Sequence, residues 1–86
     1  MTSEETRILE DLLISQGLDI RKAEDICLLL QFKPENVQRA FYLRCQGKTQ
    51  EEIGFELGVP QTTVSYYLIE KCKDIKSVLT GNIGKT

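Results

Sequence analysis

TQEEIGFELGVPQTTVSYYL, running from Thr49 to Leu68, is the stretch whose reading decides the fold. Thr49 followed three residues later by Glu52 is a capping box. The hydroxyl accepts from the Glu52 amide and the carboxylate accepts from the Thr49 amide, so the pair predicts a helix from about Gln50. Glu51 and Glu52 fall in its first turn, where the positive end of the helix dipole favours carboxylates. Ile53 and Leu57, four apart, form the inward stripe. Gly54 sits on the same side, and a glycine inside a helix costs roughly 1 kcal/mol relative to alanine. A second helix crossing so closely that only the smallest side chain fits would offset that cost; a glycine tolerated on an exposed face is the alternative.

Gly58 follows the last periodic residue, at the position where helices commonly end in a left-handed conformation. Val59 is expected to point inward. Pro60 presets the backbone for a new helix and gives up an amide that would be unpaired there anyway. In that second helix, Val64, Tyr67 and Leu68 recur at three and four residues and face the first. Gln61, Thr62, Thr63, Ser65 and Tyr66 are left on the other sides.

Working outward, Lys33-Pro34 marks a boundary, because proline disfavours helical geometry in the residue before it. A helix over about Pro34 to Gln46 follows, with Val37, Ala40, Phe41 and Cys45 inward and Gly47 as its stop. Before it, Thr2 and Glu5 form another capping box ahead of a stripe of Ile8, Leu9, Leu12 and Leu13, predicting a helix from Ser3 to Gln16. Asp19 is an N-cap for a helix from Ile20 to Phe32, whose core stripe is Ala23, Ile26, Cys27 and Leu30. Leu28 and Leu29 make this helix apolar most of the way round, so it needs more than one neighbour. Either a second copy of the chain supplies one, giving a homodimer, or the first and last helices cover both faces. Beyond Leu68 the helix that begins after Pro60 is expected to continue through Cys72, a short helix to span Asp74 to Leu79, and Gly81 to Thr86 to form a frayed tail.

The expected fold is therefore all-α: five or six short helices in a single domain of 86 residues, with two N-terminal helices (1–32), a three-helix core (34–72) and a short C-terminal helix and tail (73–86). Such a length supports one small core. There is no histidine, and the three cysteines, Cys27, Cys45 and Cys72, form no Cys-x-x-Cys pair. That inventory argues against a zinc finger, leaves no metal ligand set and no cofactor to expect, and fits reduced thiols in a cytoplasmic protein. No apolar run approaches the roughly 20 residues needed to span a bilayer, so no membrane partner is expected. No nucleophile–base pair, phosphate-binding glycine loop or placed carboxylate pair is present, so the chain is not expected to be an enzyme.

Net charge is −2, which argues against indiscriminate nucleic-acid binding, but its distribution is uneven. Residues 1–38 carry four cations against eight carboxylates, whereas residues 39–86 carry seven against five. Basic charge thus gathers around Thr49–Leu68.

With capping box, small residue, turn glycine and valine in register, residues 34–72 resemble the helix-turn-helix of phage-type repressors, small transcription regulators and the last region of bacterial sigma factors. Three positions depart from the pattern: Gly54 stands where alanine is usual, Phe55 where a polar residue is usual, and Tyr66 where relatives often carry arginine. The resemblance implies sequence-specific binding to double-stranded DNA, the second helix lying in the major groove, as in a repressor-like regulator. Base readout would fall to Gln61, Thr62, Ser65 and Tyr66; a glutamine can pair bidentately with adenine, and a threonine methyl can touch that of thymine. Phosphates would meet Lys48, Thr49, Gln50 and Thr63, with Lys71 and Lys73 adding charge. A homodimer of this kind reads half-sites roughly 34–36 Å apart. The rival functions are a protein-binding adaptor acting through Phe55, and the DNA-reading subunit of a recombination, partition or replication complex.

Overall fold

The computed structural model describes residues 1–80; the tail expected over 81–86 lies outside the described residues. Six helices make up the described chain: α1 (Ser3–Ser15), α2 (Ile20–Gln31), α3 (Glu35–Cys45), α4 (Gln50–Leu57), α5 (Gln61–Ile69) and α6 (Lys73–Thr80). The fold is all-α, as the periodicities predict.

Local signals act where the sequence puts them. The Thr2–Glu5 and Thr49–Glu52 boxes both close reciprocally, and the Asp19 carboxylate accepts from the Lys22 amide at 2.8 Å. Pro34 and Pro60 are N-caps rather than first helical residues, in extended geometry just outside α3 and α5. α5 is shorter than expected. It ends at Ile69, and a turn at 70–72 lets Cys72 drop into the core ahead of α6.

α3 lies at the centre, packing against α1, α4 and α5, while α2 packs on α1 and α6. Its central position explains a difference from the sequence reading: Tyr42 and Leu43 are buried along with Val37, Ala40 and Phe41. Three consecutive residues point some 100° apart around a helix, so all three are covered only when neighbours surround it. In α1, Leu9 and Leu13 are buried whereas Ile8 keeps 38% of its surface exposed. Ala23, Ile26, Cys27 and Leu30 of α2 are all buried, as their spacing predicts.

Of the two accounts of α2, the structure bears on the one in which the first and last helices cover it. α1 and α6 cover two faces, and the Lys33 ammonium ties the end of α2 to Asp74 of α6 at 2.9 Å. Yet Leu28 keeps 55% of its surface and Phe32 keeps 81%. Leu28 and Phe32, one turn apart at the end of α2, thus form an apolar patch that the described residues leave uncovered.

Candidate functional site

The geometry of α4 and α5 rests on Gly54. A Cβ built on it would lie 2.7 Å from the Val59 carbonyl oxygen and 3.5 Å from both the Gln61 nitrogen and Val64 Cγ2. Close crossing, not tolerance of an exposed glycine, is the reason for this residue. The Gly54 carbonyl accepts from Gly58 and, at 2.9 Å, from Val59; Gly58 has φ +72°, the left-handed region reserved largely for glycine. Ile53 and Val64 beneath the crossing are fully buried, each contributing about 1.5–3 kcal/mol. Leu57, Val59, Tyr67 and Leu68 pack partly buried around them.

Above this support, Gln61 and Thr62 are exposed at the first turn of α5, Ser65 is half-buried one turn on, and Tyr66 is exposed over 49% of its surface. These four belong to one short helix and share its outward sides, their side chains making no hydrogen bond among the described residues. Thr63 is half-buried, and its amide donates to the Pro60 carbonyl at 3.0 Å.

The phosphate candidates divide. Lys48 is half-buried at the approach to α4, its carbonyl accepting from Arg44 Nη1 at 3.0 Å and its ammonium helping to hold the Glu52 carboxyl below its usual range, behind the larger effect of the Thr49 amide. Thr49 has its amide committed to Glu52 Oε1 at 2.9 Å; its hydroxyl accepts from the Glu52 amide and retains only its own hydrogen to donate. Gln50, half-buried, opens α4. Lys71 Nζ lies over the Tyr66 ring, 5.6 Å from its centroid, which puts a cation beside a base-readout candidate. Lys73 pairs with Glu70 at 3.3 Å on an exposed surface, so its charge is partly spent there.

The two arginines of α3 serve the scaffold. Arg39 pairs with Glu5 of α1 and lies over the Tyr42 ring, 5.7 Å from its centroid, away from α5. Arg44 closes the exit of α3 through the Lys48 carbonyl.

Two residues were not legible as site candidates. Ile69 continues the outward side of α5 past Ser65 and Tyr66 and is 52% exposed; its spacing of four from Ser65 was the available signal. Lys76 of α6 lines, with Arg44, Gln50 and Leu68, an open concavity of about 410 Å³ beside the start of α4. Twenty-six positions separate Lys76 from Gln50 in the chain, and only the tertiary path of α6 joins them.

Among the described residues no group of three or more potential ligands is placed to hold a metal, and no helix is long and apolar enough to cross a membrane. Compared with protein-family models, curated proteins and solved structures, the chain matches none of them.

Proposed function

We propose that this chain is a sequence-specific binder of double-stranded DNA, a repressor-like transcriptional regulator that lays α5 in the major groove and works as a cytoplasmic homodimer. The observation that carries the reading is the Gly54 crossing, which locks α5 against α4 while leaving Gln61 and Thr62 at the leading end exposed. That is the arrangement direct readout requires: a rigid helix with neutral hydrogen-bonding side chains clear of the globule. The uncovered Leu28 and Phe32 on α2 support self-association, since a shared apolar face is the simplest isologous contact.

Few cations surround α5, and Lys73 is already paired. Binding should therefore fall only shallowly with salt, and specificity should rest on hydrogen bonds to bases. The test is selection of bound sites from a random duplex pool at low and moderate salt. Gln61→Ala should lose roughly 1–3 kcal/mol on the selected site and relax the preference beneath it, while Lys48→Ala weakens all sequences about equally. Uniform loss from both variants would place the duplex wrongly. Absence of enrichment from a folded sample would reject DNA binding.

A further inference from the structure

We propose that the outer face of α4 is a docking site for a partner protein's peptide segment carrying an aliphatic or aromatic anchor flanked by lysine or arginine. Phe55 is 91% exposed, more than any other large apolar residue described. It contributes nothing to the core. Glu51 precedes it by one helical turn, and Glu52 and Glu56 flank it on the adjoining stripe. Together with Val59 and Pro60 of the following turn, these residues line an open concavity of about 730 Å³, and Lys48 is the one cation on its wall.

The cup is rigid. A closed capping box fixes one end of α4, the left-handed Gly58 fixes the other, and the Gly54 crossing holds its back against α5. An exposed aromatic on an ordered support is the form of an interaction anchor. The charge around it selects the occupant: three carboxylates against one ammonium repel an acidic peptide and attract a cationic one. A second copy fits poorly, because a two-fold contact would set this face against itself, carboxylate opposite carboxylate. The lining stops at Pro60, short of Gln61, and shares only Lys48 with the proposed phosphate contacts, so the site does not rest on the DNA reading.

The experiment is selection of short random peptides displayed on phage against the immobilised full chain, with Phe55→Ser and the double variant Glu51→Gln/Glu56→Gln in parallel. Thermal unfolding should show both variants folded, since all three side chains are exposed. Enriched peptides should pair an apolar anchor with at least two cations; a synthesised winner should bind Phe55→Ser at least about tenfold more weakly and lose affinity with the carboxylates and with added salt. No enrichment over Phe55→Ser, enrichment of acidic or neutral peptides, or Phe55-dependent self-association would each overturn the proposal. Duplex selection on Phe55→Ser reports separately on α5, so the two readings fail independently.

Discussion

Gly54→Ala sets two opposed effects of known size against each other. Alanine inside a helix is favoured over glycine by about 1 kcal/mol, which on an isolated α4 would stabilise. In the folded chain the new methyl meets the Val59 carbonyl oxygen at 2.7 Å, and ordinary contact begins near 3.4 Å. The neighbour is backbone within the turn, so no rotamer change relieves the clash. Relief requires α4 and the Val59–Gln61 segment to part by about 0.7 Å, above fully buried Ile53 and Val64. Overpacking of this kind costs about 1–3 kcal/mol, so after the gain of about 1 kcal/mol the net expectation is destabilisation by up to roughly 2 kcal/mol. For a domain of this size that lowers the melting temperature by several degrees, about 4–8 °C per kcal/mol. Urea unfolding of wild type, Gly54→Ala and Gly54→Val should give midpoints falling in that order at constant m. The substitution should also shift the first turn of α5, so any ligand of Gln61 would bind more weakly to folded Gly54→Ala. A variant more stable than wild type would refute the reasoning, because it would mean that the crossing opens freely.

Three further outcomes can be measured directly. The Glu5 and Glu52 carboxyls sit below their usual range, held chiefly by the amides of Thr2 and Thr49; for Asp74, partial burial works the other way but is outweighed by Lys33 and the Ile75 amide. Groups with depressed folded values stabilise the fold above their unfolded values, so stability should decline from about pH 4.5 downward. Glu52→Gln should flatten that decline, and a urea midpoint unchanged by acid would contradict it. Burial pushes the Cys27 and Cys72 thiols up to about 11, so alkylation of the native chain near neutral pH should be at least about a hundredfold slower than that of a free thiol, and fast once urea unfolds it. Rapid labelling of both without unfolding would show that the core opens locally. Leu28→Lys with Phe32→Ser should shift sedimentation toward the monomer without lowering the melting temperature of the monomeric species; an unchanged distribution would remove α2 from the subunit contact.

Much of the fold was legible because its boundaries are encoded locally. Thr2, Asp19, Thr49 and Gly58 act within a turn of their own positions, and their geometry follows whatever surrounds them. The core stripe of α2 was legible for the same reason. What the chain hides is how many neighbours an element has. Tyr42 and Leu43 are buried because α1, α4 and α5 enclose α3; periodicity reports one apolar face, and a surrounded helix has several. The end of α5 was misread because Lys71, Cys72 and Lys73 suit a continuing helix locally, while the pull of Cys72 and Ile75 into the core is tertiary. The outward placement of Gln61, Thr62, Ser65 and Tyr66 on α5 follows from spacing, whereas Lys76 comes to line a concavity with Gln50 only through the fold.

The central position of α3 limits how the two ends of the molecule can influence each other. α2 has no principal contact with α4 or α5; it meets the rest of the described chain through α1, which packs on α3, and through α6, which follows α5 after a three-residue turn. α3 is enclosed on several sides and joined to α1 by the Arg39–Glu5 pair. Two subunits joined at α2 would therefore hold their α5 helices at a separation fixed by this framework, and substitutions at Tyr42 or Leu43 would alter that span without touching either surface.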